Sequence, residues 1–152
     1  MKLKILMISM LLMGLFSSTT SFAEEIFMAR TQQTFPEAML ALQAEIKAHG
    51  YKLSRVQRVD IGLTKSGYKT DKYRVVFFGK TDEIKWIGDN YPDWIPYLPL
   101  KIAIFSEAQD TLLIASNPEI IFSTEDPKLK KVLAQWKKDI GSMFNKMANQ
   151  ND

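Results

Sequence analysis

A long apolar stripe near the C-terminus restricts the fold of this chain more than any other feature. Between residues 129 and 147, apolar side chains recur at steps of three and four, which is the spacing of one face of an α-helix. Asp126 and Pro127 come just before the stripe and are typical of a helix N-cap and first turn. The stripe consists of Leu129, Val132, Leu133, Trp136, Ile140, Met143, Phe144 and Met147.

Two interpretations of this helix are open. It could lie on an anionic membrane surface, because several lysines flank the stripe. It could instead complete the core of a globular domain, and a domain of this size with only two long helices needs the stripe inside. We therefore predict a core helix. The flanking lysines are Lys128, Lys130, Lys131, Lys137, Lys138 and Lys146.

A second long helix is predicted closer to the N-terminus. Thr34 and Glu37 have the spacing of a capping box, and Pro36 is tolerated in a first helical turn. Gly50 provides the left-handed residue that commonly ends a helix. The apolar positions at helical spacing between them are Ala38, Met39, Leu42 and Ile46.

The other apolar segments have the period-two alternation or the short β-rich runs that predict strands. Residues 73–79 are apolar on both faces, which indicates an internal strand. Arg55 and Gln57 interrupt the alternation of the second segment, so a bend or bulge is expected there. The predicted strands span 26–30, 51–63, 73–79, 100–104 and 111–115.

The connections follow from turn residues. Residues 65–72 are predicted to be a hairpin loop, residues 81–87 a short helix and residues 88–99 an irregular loop rich in aromatics and proline. The order strand, helix, four strands, helix predicts a two-layer α+β domain. Its two main helices cover one face of a largely antiparallel sheet of about five strands.

Residues 1–23 are predicted to be a secretory signal peptide. Lys2 and Lys4 make the start basic, residues 5–16 form an apolar run, and Ser21-Phe22-Ala23 has small residues at the positions that a signal peptidase needs. The run is shorter than the roughly 20 residues that span a bilayer, although an uncleaved anchor is the alternative. We predict cleavage after Ala23, a single domain over residues 24–152 without a stable membrane span, and a periplasmic location.

The charge balance argues against a nucleic-acid partner. The chain has 20 Lys and Arg against 17 Asp and Glu. Loss of Lys2 and Lys4 with the signal peptide leaves 18 basic residues against the same 17 acidic ones. Such a balance produces no general attraction to a polyanion.

The chain lacks the residues for several kinds of chemistry. It has no cysteine and one histidine, His49, which excludes thiol nucleophiles, thiolate metal sites and multi-histidine sites. His49 is expected at the end of the first long helix, as a surface residue. No nucleotide-binding glycine loop or nucleophile elbow occurs. We expect no catalytic residues, metal or cofactor, and therefore a protein that is not an enzyme.

Five segments along the chain have a recognisable order. They are the capped helix ending in Gly50, Val59-Asp60-Ile61, Phe78-Gly79, Leu98-Pro99-Leu100-Lys101-Ile102 and the hairpin closing at Asn117-Pro118. Taken together, they resemble the domain of unknown function 302 family over roughly residues 35 to 122, and the fourth segment is the most specific part. The resemblance implies a compact strand-helix-four-strand-helix fold like that of the TATA-binding-protein-like class, and it implies no established reaction.

Three positions depart from the pattern of that family. Lys80-Thr81 stands where members often have Asn-Pro, Ile61 where they often have histidine, and Tyr97 where they often have aspartate. If those polar residues form a site in other members, this chain has lost much of it.

The aromatic and proline-rich stretch 91–105 supplies the candidate binding residues. Trp94 and Tyr97 could form the wall of a small pocket, with Lys101 holding an anionic group. Asp60 and Trp86 are secondary candidates. The simpler alternative is a fixed lid packed on the sheet.

We therefore expect an exported binding or accessory protein for a small ligand. Self-association or partner binding through the aromatic loop 86–97 is the alternative, and a homodimer would follow from it. A cofactor-free enzyme with Asp60 as acid or base is a third hypothesis, and it would require a raised pKa in a cleft.

Overall fold

The computed structural model describes residues 25–149, so the predicted signal peptide 1–23 lies outside the described residues. Within that range, five antiparallel strands form one sheet in the order β1-β5-β4-β3-β2. The first two strands therefore lie at opposite edges, and the helix between them crosses one face of the sheet. The strands are β1 Ile26–Thr31, β2 Lys52–Arg58, β3 Tyr73–Gly79, β4 Leu100–Glu107 and β5 Asp110–Ser116.

Two long helices and several short ones complete the described chain. The helices are α1 Phe35–Ala48, α2 Val59–Lys65, α3 Thr81–Asn90, a 3₁₀ helix Pro92–Tyr97, α4 Pro118–Ile121 and α5 Pro127–Ala148. Among residues 25–149, no helix is both long and apolar enough to cross a membrane.

The ends of the long helices match their predicted capping residues. The Glu37 carboxylate accepts hydrogen bonds from the Thr34 amide at 3.0 Å and the Thr34 hydroxyl at 2.7 Å. Gly50 has φ +80, in the left-handed region. The Asp126 carboxylate accepts from the amides of Lys128 and Leu129 at the start of α5. Each partner satisfies a backbone group that the first or last turn leaves without a helical partner.

One face of the sheet carries the core. Helices α1 and α5 both pack there, and every residue of the predicted stripe is buried except Val132, which is partly buried. The two-layer α+β prediction is therefore confirmed. The strands contribute Ala29, Val76, Phe78, Leu100, Ile102, Ile104, Leu113 and Ala115 to this core.

The predicted strand over residues 51–63 is wrong in its second half. Strand β2 ends at Arg58, which pairs with Arg74 near the start of β3, and helix α2 follows. Only Tyr73 of β3 lies beyond this pair, so the residues after Val59 have no strand partner there and satisfy their backbone groups by forming a helix. The predicted bulge lies one step earlier, between Leu53 and Arg55.

The segment 88–99, which was predicted to be an irregular loop, is mostly helical. Helix α3 continues to Asn90, and the 3₁₀ helix Pro92–Tyr97 fills most of what remains. Proline supplies a suitable φ at the start of this helix and lacks the amide that the first turn cannot pair.

Candidate functional site

Two of the predicted aromatic residues, Trp94 and Trp86, pack against other side chains. Trp94 stacks on Tyr91 at a centroid distance of 5.2 Å and tilts against buried Phe122 at 5.0 Å. Trp86 contacts Tyr91 edge-on at 5.8 Å, and the Lys128 ammonium lies 3.9 Å from the Trp86 ring centroid. These contacts join the chain before β4 to the start of α5, which is the geometry of a fixed lid.

Tyr97 and Lys101 border a common cavity, but the cavity is small. Its volume is about 20 Å³, with Phe122 and Ile140 among its other walls. A volume of this size holds one water molecule. Tyr97 remains 52% exposed on the outside of this cavity. Ligand binding by Trp94, Tyr97 and Lys101 stays a prediction, and so does association through the loop 86–97.

Asp60 lies elsewhere, at the opposite end of β2. It lines a cleft of about 420 Å³ together with Lys65 and Lys72. Its carboxylate forms an ion pair with Arg74 and accepts the Ile61 amide at 2.9 Å. The hydrogen bond from Arg74 is the main reason that the pKa of Asp60 lies below its ordinary value.

We expect Asp60 to titrate below the ordinary aspartate pKa of 3.8. A depressed pKa stabilises the fold above the unfolded-state pKa, and this contribution disappears as the pH falls through the folded-state pKa. Carboxyl NMR titration of Arg74→Gln should show the Asp60 pKa rising toward 3.8. In Lys65→Gln, which alters the same cleft, it should stay low. An ordinary Asp60 pKa in the unmodified protein would contradict the assignment.

The structure does not bring the five predicted residues together. Asp60 is near the end of the sheet where Arg58 pairs with Arg74, whereas Lys101 pairs with Phe77 toward the other end. Trp86 and Trp94 belong to the aromatic lid. The positions that depart from the family pattern are divided in the same way, because Ile61 lies with Asp60.

A larger cleft opens beside the lid, where two of the segments that carry the family resemblance meet. Lys52 pairs with Gly79 across β2 and β3, and Pro99 precedes β4 on the other side. We call this opening the motif cleft, and its volume is about 500 Å³. It is lined by Lys52, Leu53, Ser54, Gly79, Thr81, Ile84, Lys85 and Pro99.

Gly79 determines the shape of the motif cleft. A Cβ atom at this position would lie 2.1 Å from Cδ1 of Ile84 and 3.7 Å from Cβ of Pro99. The first distance is a steric overlap, so a larger residue would displace Ile84 from the floor of the cleft. Glycine therefore allows the apolar floor to form next to the two lysines.

The wall formed by α3 is held in place by a partly buried polar network. The Lys80 ammonium lies 3.6 Å from the Asp139 carboxylate and 4.0 Å from the Glu83 carboxylate. Tyr51 donates its hydroxyl proton to Asp139 at 2.8 Å, and the Trp136 indole donates to Glu83 at 2.6 Å. Burial is the main cause that raises the pKa of Tyr51, so this phenol stays protonated. Lys80 thus serves the interior network.

His49 lies at the C-terminal end of α1, as predicted. Its Nδ1 donates to the Glu45 carbonyl oxygen at 2.9 Å, because a carbonyl oxygen only accepts. Its Nε2 lies 3.2 Å from the Ser142 hydroxyl on α5. The ring therefore joins the two long helices.

Sequence reasoning missed most of the motif cleft. Lys52, Ser54, Ile84 and Lys85 belong to no recognisable motif, and residues of three different elements meet only in the folded chain. One available indication was that Phe78-Gly79 and Leu98-Pro99 are both marked by the family resemblance. Within residues 25–149, no group of three or more His, Cys, Asp or Glu residues is arranged to hold a metal ion.

Comparison with known proteins agrees with the fold. The family model described as domain of unknown function DUF302 matches residues 27–147. The crystal structure of an uncharacterised conserved DUF302 protein from Bacillus stearothermophilus is similar, with a TM-score of 0.73 and 16% identity. The similarity covers 82% of this chain and 99% of that one, and at this identity it concerns the fold alone. No curated protein matches the chain.

Proposed function

The chain belongs to the DUF302 family, a domain of unknown function, and from this premise we propose that it is an exported binding protein for a small anionic ligand with an apolar part. The ligand occupies the motif cleft. The protein does not catalyse a reaction on it.

The observation that carries this proposal is the chemistry of the motif cleft. Its volume of about 500 Å³ falls within the range of small-molecule sites. Leu53, Ile84 and Pro99 offer an apolar surface, while Lys52 and Lys85 place positive charge at the cleft. Lys85 already pairs with Asp89 at 2.6 Å, so Lys52 is the main cation for an incoming anion.

Two features support binding in preference to catalysis. The pKa of Asp60 is lowered by Arg74, whereas an acid–base aspartate working near neutral pH needs a raised pKa. The imidazole of His49 contacts Glu45 and Ser142 on the two long helices, away from the motif cleft.

Export rests on residues 1–23, whose basic start, apolar run and small-residue end are those of a signal peptide. Native mass spectrometry of the protein purified from the cell envelope tests export and binding together. We expect the mass of residues 24–152 and an additional mass from a retained small molecule. The full-length mass would overturn processing after Ala23.

A second experiment locates the ligand with octanoate, an apolar chain with one carboxylate. We expect amide NMR shifts confined to residues 52–54 and 79–85. The variant Lys52→Glu/Lys85→Glu should weaken octanoate binding by about tenfold or more, because it replaces attraction with repulsion. The control Lys47→Glu/Lys138→Glu makes the same change in net charge at exposed positions elsewhere and should bind normally. Shifts absent from the motif cleft, or equal loss in the control, would contradict the proposal.

A further inference from the structure

The second face of the sheet carries an apolar surface that no helix within residues 25–149 covers. Strand alternation directs every other side chain away from the core formed by α1 and α5. We call the surface formed by these outward side chains the open face. Leu112 points to this face but is only 6% exposed. The other apolar members are exposed or partly buried, and they are Ile26, Met28, Tyr73, Val75, Phe77, Ala103, Phe105 and Ile114.

The centre of the open face is continuous. The register aligns Met28 with Ile114, Ile114 with Ala103 and Ala103 with Val75, so one apolar row crosses four strands. Met28 is 59% exposed and Ile26 47% exposed. Water contact with such a surface is unfavourable, and a contiguous patch of this kind marks an interaction site.

Charged residues lie at two opposite corners of the open face. At one corner, Arg30 pairs with Glu107 and Asp110, which leaves an excess of one negative charge. At the other corner, Lys101 and Arg55 lie on either side of Phe77 in the same row, and the Arg55 guanidinium lies 5.8 Å from that ring. The open face thus has an apolar centre, an acidic corner and a basic corner, which is the anatomy of a protein interface.

We infer that a second copy of this chain covers the open face and forms a two-fold symmetric dimer. A two-fold axis that lies in the interface, perpendicular to the line between these corners, places the Glu107 and Asp110 corner of each copy over the Arg55 and Lys101 corner of the other. The same complementary contact then occurs twice, as an isologous interface requires.

The size of the face is sufficient for such a dimer. Five strands spaced by about 4.8 Å and three rows of side chains give roughly 24 by 20 Å. Two copies therefore bury on the order of 1,000 Å², close to the lower limit for a specific interface. The contact is of the weak or moderate class, so dissociation is expected at low concentration. This inference is independent of the ligand proposed for the motif cleft, which lies at the end of β2 and β3.

Sedimentation analysis of the processed protein over a range of concentrations tests the dimer. We expect a reversible monomer–dimer equilibrium in the unmodified protein. Met28→Asp should raise the dissociation constant at least tenfold, because it places a carboxylate twice in the apolar centre. Leu40→Asp, at a 70% exposed position on α1, is the matched control and should leave the constant unchanged.

Charge exchange provides the second test. Arg55→Glu should weaken the dimer, and Arg55→Glu/Glu107→Arg should restore it, because the double variant exchanges the charges of Arg55 and Glu107 across the interface. A protein that is monomeric at every concentration would overturn the inference. A dimer that tolerates Met28→Asp would overturn it as well, since another surface would then hold the copies together.

Discussion

Replacing Trp136 with alanine is expected to lower the free energy of unfolding by about 3–5 kcal/mol, the range for removing a buried large aromatic. Trp136 is 0% exposed and contacts Phe122 at a centroid distance of 6.2 Å. Its indole also donates to Glu83, which lies in the first turn of α3. Alanine would leave a cavity between α5 and the aromatic lid, and it would leave the Glu83 carboxylate without this donor.

Urea unfolding followed by circular dichroism measures this effect. Tyr68→Ala is the control, because it also removes an aromatic ring but at a position that is 66% exposed. We expect the control to change the free energy by no more than about 0.5 kcal/mol. If both variants lost a similar free energy of unfolding, the expectation that Trp136 joins α3 to the core would be contradicted.

Replacing Asp139 with alanine is expected to cost about 2–4 kcal/mol, because it removes one partner from a largely buried ion pair. The Asp139 side chain is 11% exposed. It accepts from Tyr51 at 2.8 Å and from Gln135 at 2.7 Å, and it lies 3.6 Å from the Lys80 ammonium. Alanine would leave the phenol and the ammonium without this acceptor in a region that water reaches poorly.

Two further variants separate charge from hydrogen bonding. Asp139→Asn keeps an oxygen that can accept from Tyr51 but removes the charge that faces Lys80, so an intermediate loss is expected. Asp89→Ala breaks the exposed pair with Lys85, whose side chains are 61% and 73% exposed, and should cost about 1 kcal/mol or less. If thermal unfolding shows equal losses for Asp139→Ala and Asp89→Ala, the network does not hold α3 in place.

The contacts of Trp136 and of Asp139 also affect the motif cleft, because α3 forms one of its walls. Trp136 and Lys80 fix the first turn of α3 from the interior, while Ile84 and Lys85 of the same helix face the cleft. Loss of either interior contact is therefore expected to disturb the shape of the cleft as well as the stability of the fold. Octanoate binding by Trp136→Ala should weaken even under conditions where this variant remains folded.

Much of the fold followed from patterns within short stretches of sequence. The capping box of Thr34 and Glu37, the stop at Gly50 and the start at Asp126 all involve residues within about four positions of each other. The apolar stripe of α5 could be predicted equally well, because a helix repeats its buried positions every three or four residues. These features were predicted correctly since their chemistry is local.

The candidate binding residues were harder to predict, for the opposite reason. The sequence left Trp94 open as part of a pocket wall or of a fixed lid, and its contacts are with Tyr91 and with Phe122, a ring 28 positions further along the chain. Asp60 carried no local indication that Arg74 would pair with it and lower its pKa. Aromatic and charged residues suit a core or a site equally well, and distant neighbours decide between the two.

Periodicity and capping act along the chain, so the long helices, the number of strands and the α+β class could be predicted from the sequence. The end of β2 could not, since strand pairing depends on a distant segment. Nor could we predict that Lys52, Gly79 and Pro99 meet in one cleft, or that no helix of residues 25–149 covers one face of the sheet. Those properties depend on contacts between segments far apart in the chain, which local patterns do not specify.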